Sequence, residues 1–379
     1  LCSCSHGMTS VTEHPEHTTT PGQTAEPSVA AVVVNHNGGA RILRVLEALQ
    51  RQTYHLTQVV VVDNNSRDGS PQEIGKRFPA VELLVQDHNL GLTVARNKGL
   101  HATRTTLVLV IDHDIYPEPT AVERMVAAYK THDATALCPR IRLLPERDIV
   151  QMEGAAVHFL GLLTIRHSLQ PIDNLSGGPG YVPACTGGCL LLQRQKILDI
   201  GGFDELFFFY FEDLELSYRL RARGHRIWCA TDAEVFHEPA EGTAGLSYRP
   251  QGIYPRRRAM LTMRNRLLTI LIHYRLRTIL ILLPALVLFE IAAFSMACKN
   301  GWAGAWLESW SWQIENAAAI RARRRRQMAA RKLPDRAILG GGPPPLAPGL
   351  LKGRLAKTLF SLLSKTFNVY WAIARPWIA

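Results

Sequence analysis

Between residues 28 and 112 the chain alternates two kinds of apolar pattern. Val29 to Val34 is an almost unbroken run of β-branched residues and Ala, which predicts a strand buried on both faces. The polar stretch Asn35-His36-Asn37-Gly38-Gly39 ends it, and residues 40–51 then place Ile42, Leu43, Leu46 and Leu49 at helical spacing. The same alternation repeats. Val59-Val60-Val61-Val62 predicts a second buried strand stopping at Asp63-Asn64-Asn65-Ser66, followed by a helix over about 70–78. A third strand over Val81 to Val85, a helix over Val94 to Ala102 and a fourth strand over Leu107 to Ile111 complete the series. Strands alternating with helices imply right-handed crossovers and a mainly parallel α/β sheet. Polar clusters follow three of the strands directly, at Asn35–Asn37, Asp63–Ser66 and Asp112–Asp114. Ligands bind beyond the carboxyl ends of strands in such sheets, so the three clusters are expected to meet at one crevice.

From about 135 to 190 the periodicity loosens, and Gly177-Gly178-Pro179-Gly180, Pro183 and Gly187-Gly188 mark loops able to cover a site. A loop leads into a short strand over Thr186 to Leu192, a helix holding Lys196 to Ile200 stops at Gly201-Gly202, and Leu214 to Arg223 predicts a helix closed by Gly224. Ile227 to Ala230 predicts one further strand. Beyond 250 the character changes. Ile279 to Cys298 is apolar and long enough to span a bilayer, yet Pro284 and Glu290 interrupt it. A transmembrane helix, an in-plane helix and a buried soluble helix all fit. Trp302, Trp306 and Trp310 share a helical face suited to lipid headgroups, Gly340 to Pro348 reads as a linker, and Leu351 to Trp377 is basic and amphipathic.

Charge sharpens this division. Residues 1–247 hold 21 Lys/Arg and 28 Asp/Glu, whereas residues 248–379 hold 22 and 4. An acidic body thus carries a basic tail, including five arginines within Arg321 to Arg326, and such a tail suits a polyanionic partner. The organisation expected is a disordered tail over 1–27 with Met8 as the start, a catalytic domain over 28–250, and a membrane-associating helical region over 251–379 with an apolar helix at about 279–298. The seven scattered cysteines, Cys2, Cys4, Cys138, Cys185, Cys189, Cys229 and Cys298, argue against a disulfide framework and fit a reducing compartment.

Candidate chemistry sits where strands end. Asp112-His113-Asp114 can hold Mg²⁺ or Mn²⁺ and through it a diphosphate, or can be a solvated acidic turn. Asp63 can accept from a nucleobase or ribose, or cap the next helix. Glu212-Asp213 follows the aromatic run Phe207 to Phe211; adjacent carboxylates beside an apolar patch suit a general base, although acids also favour a helix N-terminus for its dipole. His237, ending Val235-Phe236-His237, fits a metal ligand or an ordinary half-buried histidine.

Taken together the signatures are more specific. Val32-Val33-Val34-Asn35, Val61 to Ser70, Asn89-Leu90-Gly91 with Ala95 to Gly99, Asp112-His113-Asp114, Gly187 to Leu191, Gly201 to Glu205 and Tyr210 to Leu216 occur in one order. This series closely resembles the family 2 glycosyltransferases, particularly the bacterial rhamnosyltransferase-like branch, over roughly residues 28–245 and more weakly at Arg264-Asn265-Arg266. The resemblance implies a GT-A fold and inverting transfer from a nucleotide-diphosphate sugar, and the basic tail would hold the chain at the cytoplasmic face of the membrane, where a hydroxyl of a cell-envelope glycan or lipid-linked acceptor would be met. The resemblance also implies that Asp63 holds the nucleobase, that Asn35, Asn65, Asn89 and Arg96 line the nucleotide pocket, and that Gly187 and Gly188 shape the sugar pocket. Asp114 would bind the metal, assisted by Asp112 through the ribose or the metal shell, and His237 would complete the metal site. Asp213 would deprotonate the acceptor, oriented by Glu212. His113 departs from the Asp or Asn often found between the two acids. A nucleotidyltransferase is the competing enzyme reading, but the loop after the first strand lacks basic residues. Nucleic-acid binding through Arg321 to Arg326 is the competing non-enzyme reading. Oligomeric state is not legible.

Overall fold

The computed structural model describes residues 26–239, 255–345 and 353–378. The parallel half of the sheet forms as the apolar runs dictate. β1 (Val29–Asn35), α1 (Ala40–Gln50), β2 (Leu56–Asp63), α2 (Ser70–Arg77), β3 (Glu82–Val85), α3 (Leu92–Ala102) and β4 (Leu107–Asp112) follow one another, and the strands pair in parallel in the order β4-β1-β2-β3. Every residue of β1 is buried, because helices cover both faces of this central strand.

The second half departs from the expected mainly parallel sheet. β5 (Ile115–Pro117) and α4 (Ala121–Thr131) follow β4, and β6 (Ala136–Leu143), β7 (Ile149–Met152), β8 (Ala155–His158), β9 (Leu162–Ile165), β10 (Gln170–Pro171) and β11 (Gly180–Val182) then fill the stretch that reads as loops. They are short and half-polar, so no long periodic run announces them. β12 (Cys189–Gln193) lies antiparallel to both β4 and β6, which makes the eleven-stranded sheet mixed. After α5 (Arg194–Asp199) and α6 (Glu212–Ala222) comes β13 (Ile227–His237). It is one strand of eleven residues, pairing with β6, β5 and β11, with an irregularity between Ala230 and Glu234 that shifts its register on β6. Thr231 and Asp232 break the apolar pattern there and hide the continuity.

The C-terminal region is helical: α7 (Arg256–His273), α8 (Leu276–Lys299), α9 (Ala303–Glu315), α10 (Ala317–Ala329) and α11 (Arg354–Ala374), with β14 (Leu339–Gly340) joining β8 and β9 in a small second sheet. Leu339–Gly340, expected to enter a linker, is therefore sheet; the remainder of that linker from 346, the start of the last helix at 351–352 and residues 240–254 fall outside the described residues. So does the expected N-terminal tail through residue 25, whereas Glu26 and Pro27 are tied down by the Tyr54 hydroxyl, and Glu26 also pairs with Lys130.

α8 is long and apolar enough to cross a membrane by length and composition. Leu282, Ala285 and Leu286 are buried against the protein, and Glu290 turns inward to accept from Arg266 and from the Trp306 indole at 3.0 Å. The opposite side leaves Leu276, Leu280, Leu283, Val287 and Ile291 exposed. Of the three tryptophans expected at headgroups, Trp302 is buried and Trp306 serves Glu290; Trp310 is exposed. The arginine run of α10 is partly structural, since Arg323 pairs with Asp204 and Arg324 donates to the Leu271 and Tyr274 carbonyls.

Candidate active site

The parallel register brings the three strand-end clusters side by side. Asn35 stands opposite Asp63, and Asp112 opposite Val34. Asn35 is fully buried and donates through Nδ2 to Asp63 Oδ1 (2.7 Å) and to the hydroxyls of Ser70 (2.8 Å) and Ser66 (3.2 Å). Asp63 is also fully buried, accepting from the Ser66 hydroxyl at 2.6 Å and the Ser66 amide at 2.9 Å. Neither side chain is a pocket wall here. Together they brace the loop after β2, in which Asn65 takes a left-handed backbone (φ 61°) that Asn tolerates better than most residues. Asn89 is exposed, and its Oδ1 accepts from the Gly91 amide at 2.9 Å, a local turn bond.

Arg96 is the hub of the site. Its guanidinium is 1% exposed and donates to Asp112 Oδ1 (2.9 Å), to the Gly187 carbonyl (2.6 Å) and to Glu212 Oε1 (3.3 Å). Burial works against the charged guanidinium, but the carboxylates of Asp112 and Glu212 outweigh it and hold the proton more firmly. One cation thus joins the two acidic signatures. Gly187 completes the join, because its amide donates to Asp213 Oδ2 at 2.9 Å. A Cβ at Gly187 would stand 3.1 Å from Asp213 Cβ and 3.2 Å from Glu212 Oε1, so a larger residue would press on both acids and the close approach favours glycine. At Gly188 a Cβ would strike Ile115 Cδ1 at 2.4 Å.

The two acid pairs are in opposite electrostatic states. Asp114 is desolvated, which alone would raise it, yet the hydrogen bond and charge of His237, with His113 and Arg41, hold it at about 2. Glu212 is pushed up to about 7, chiefly by burial and then by the neighbouring Asp213 charge. Asp213 is raised by burial as well, against the amides of Leu214 and Gly187 and the charge of Arg96. Of these two, Glu212 is buried while Asp213 is partly exposed. Asp112 is raised by burial despite Arg96.

His237 ends β13 opposite Ile115 of β5, which puts its Nε2 3.4 Å from Asp114 Oδ2. Its Nδ1 lies 2.7 Å from Gln151 Oε1, which turns Nε2 toward the carboxylate, where it would offer a lone pair once free of a proton. Two electron-pair donors facing one point fit a divalent cation. Asp112 is turned to Arg96, and among the described residues no three His, Cys, Asp or Glu side chains cluster tightly enough to cage an ion. The donor set suits a hard cation that draws its other ligands from phosphate and water.

The loop entering Glu212 carries three non-glycine residues at left-handed φ: Phe208 (60°), Tyr210 (65°) and Phe211 (67°). Each costs about 1–3 kcal/mol and persists only where neighbours enforce it. The Phe208 carbonyl accepts from the Leu92 amide at 2.7 Å, at the start of the helix that carries Arg96. On the other side, Arg264 and Asn265 of α7 gather the remaining carbonyls. The roles of these two and of Gln151 are not visible in the sequence, because each acts on a partner far along the chain, and Ser66 and Ser70 add to their local bonds a reach back to Asn35.

Comparison with known proteins agrees with this geometry. The family model for glycosyl transferase family 2 matches residues 30–197. An N-acetylglucosaminyl-diphospho-decaprenol L-rhamnosyltransferase of Mycobacterium tuberculosis is 30% identical over 234 residues, covering 56% of this chain and 76% of that protein. An O-antigen chain rhamnosyltransferase of Salmonella anatum is 25% identical over 216 residues, covering 56% and 66%. Among solved structures, GalNAc-T7 with UDP, GalNAc and Mn²⁺ superposes with a TM-score of 0.52 at 17% identity, over 66% of this chain and 48% of that one. Staphylococcus aureus TarS 1–349 with UDP-GlcNAc superposes with a TM-score of 0.50 at 20% identity, over 74% and 79%. These structures share the GT-A fold with this chain. Neither the nucleotidyltransferase nor the nucleic-acid reading finds support.

Proposed function

The chain belongs to the family 2 glycosyltransferases, and from that premise we propose that its site transfers a deoxyhexose, L-rhamnose first among candidates, from a nucleotide diphosphate to a hydroxyl of a lipid-linked or cell-envelope glycan. The rhamnose assignment rests on the names of the relatives in Mycobacterium and Salmonella. The observation that carries the mechanism is the opposed state of the two acid pairs joined by Arg96.

Asp213 is the proposed base. It is the more open of the buried pair, and the Gly187 and Leu214 amides (2.9 and 2.7 Å) fix its carboxylate while leaving lone pairs for an acceptor hydroxyl. A base with an elevated pKa takes that proton effectively near neutrality. Glu212 sets the charge of the pocket and anchors Arg96, which in turn holds Asp112 beside the donor. Asp63 and Asn35 serve the nucleobase indirectly, by bracing the loop that carries Asn65 and Ser66. Asp114 and His237 would hold Mg²⁺ or Mn²⁺, which when bound neutralises charge on the leaving diphosphate. We take residues 28–250 as the catalytic domain, and the helical remainder as the part that meets anionic lipid at the cytoplasmic face. The exposed apolar faces of α8 (Leu280, Leu283, Val287) and α11 (Leu355, Leu359, Leu362), flanked by basic residues, support docking in the plane of the interface.

A panel of nucleotide-diphosphate sugars, incubated with and without Mn²⁺, tests the reading. Slow Mn²⁺-stimulated hydrolysis of one donor is expected. No hydrolysis or transfer with any donor, or equal rates in EDTA, would overturn the donor and metal assignments respectively.

A further inference from the structure

The catalytic acids are preceded by a loop that the main chain would not adopt unaided, and two side chains of the C-terminal region hold it. Asn265 is fully buried on α7. Its Nδ2 lies 2.8 Å from the Phe207 carbonyl, 2.9 Å from that of Phe209 and 2.7 Å from that of Tyr210. An amide offers two N–H bonds, so one is shared between two of the three oxygens. The amide cannot be turned round, because that would aim its own oxygen at three carbonyls; moreover Oδ1 already accepts from Arg264 Nε at 2.8 Å. Arg264 is buried too. Its Nη2 donates to the carbonyls of Phe207 (2.8 Å) and Leu206 (3.2 Å), while its guanidinium lies 4.5 Å from the centre of the Trp312 ring.

Four carbonyls, those of 206, 207, 209 and 210, thus converge on two side chains fifty-odd residues away. The fifth, of Phe208, points the other way to the start of α3. An extended chain alternates its carbonyls, so successive carbonyls that face one way, as those of 206 and 207 and of 209 and 210 do, require a twisted backbone, and Phe208, Tyr210 and Phe211 take it up at left-handed φ. Phe211 is the last residue before α6, which opens with Glu212 and Asp213.

We propose that Asn265, supported by Arg264, is a positioning residue for the transfer step: it fixes the twisted aromatic loop and so the direction in which Asp213 enters the cleft. The proposal rests on the reading of Asp213 as the base. Donor binding, which belongs to the strand ends of the parallel half, is left largely untouched.

The test compares Asn265→Ala, Asn265→Asp, Asn265→Gln and Arg264→Lys in the full chain, using whichever donor of the panel is hydrolysed. Asn265→Ala is expected to lower kcat about 100-fold, the size that a displaced reacting group produces, with the donor KM within about threefold, as expected when transition-state and not ground-state contacts are lost. Asn265→Asp, which cannot donate, is expected to fall at least as far. Asn265→Gln, which keeps both N–H bonds, recovers part of the loss, and Arg264→Lys loses less than Asn265→Ala. Far-ultraviolet circular dichroism and thermal melting establish the folded fraction of each variant. A kcat within twofold of wild type in folded Asn265→Ala overturns the proposal. So does a loss matched by the unfolded fraction, or a donor KM that rises as much as kcat falls. Should the alanine variant not fold, Arg264→Lys and Asn265→Gln decide by the same split of kcat and KM. If Asp213→Asn itself transfers normally, the base assignment fails, whatever the Asn265 variants do.

Discussion

Asp114 and Glu212 are carboxylates in one crevice, both removed from bulk water, yet the fold drives them apart. Asp114 is held at about 2 and Glu212 is pushed to about 7. Burial acts on both in the same direction, so the difference lies in the company each keeps. Asp114 faces His237, with His113 and Arg41 close enough to matter, whereas Glu212 shares its pocket with a second acid and only part of Arg96. Two carboxylates in one crevice can therefore be held in opposite protonation tendencies by their neighbours alone. Asp114 stays anionic at every physiological pH, whereas Glu212 is poised near neutrality.

That contrast can be broken deliberately. Asp213→Asn should have the largest effect, a loss of about 10³-fold in transfer, within the range general bases contribute. Calorimetric donor affinity should be unchanged, and turnover within tenfold of wild type would remove Asp213 from its role. Asp114→Asn comes next. Loss of a metal-held charge contribution of several kcal/mol corresponds to roughly 10²-fold in kcat at about 1.4 kcal/mol per decade. Raising Mn²⁺ should recover part of it; indifference of the variant's rate to Mn²⁺ would instead place the metal elsewhere. Gly187→Ala should cost about tenfold in kcat, by pressing on Asp213 and Glu212 at 3.1 and 3.2 Å, with little change in melting temperature. An unchanged rate would show that the acids can move aside.

The smallest effect is a displacement of the pH profile. Because folding raises both acids, the pair keeps a proton until near neutrality, so transfer should increase with pH through about 7. Glu212→Gln removes the neighbouring negative charge, and the acid limb of kcat should move to lower pH. The accompanying stability change has a definite sign. A raised acid favours the folded state while protonated, so its contribution is full below 4.5 and is lost as pH rises through about 7. Melting measured from pH 4 to 8 should therefore show a shallower decline in Glu212→Gln, and an equal slope would contradict the assignment.

The contrast also separates what the sequence discloses from what it hides. β1, β2 and β4 announce themselves as unbroken apolar runs, and parallel pairing then forces Asn35, Asp63 and Asp112 together. The crevice at the donor end is legible for that reason. The finer roles are not: Asn35 and Asp63 read as pocket walls, yet both are sealed inside and act on each other. Glu212 and Asp213 are legible as a motif, but their state depends on Arg96, 116 residues earlier, and on Gly187. The aromatic run before them reads as a pocket surface, and its backbone twist is set by α7, which no local pattern connects to it. β7 to β11 are too short for a periodic run to announce them, and the antiparallel pairing of β12 with β4 and β6 makes the expected parallel sheet mixed. The apolar run of α8 was read to within three residues at its N-terminal end, although the inward bond of Glu290 to Arg266 is a tertiary fact.

The irregularity in β13 has a further consequence. Ala230 stands opposite Pro139 and Glu234 opposite Arg140, so β13 advances by four residues while β6 advances by one. Side chains alternate faces with every residue, and the interruption therefore acts as a phase setting for everything beyond it. Deleting one residue between 231 and 233, with the backbone path of the irregularity kept, would slip the residues beyond it by one and turn His237 to the other side of the sheet, away from Asp114. The position of His237 beside Asp114 is encoded as a count of residues as much as by the histidine itself, which makes the length of this short stretch matter more than its side chains.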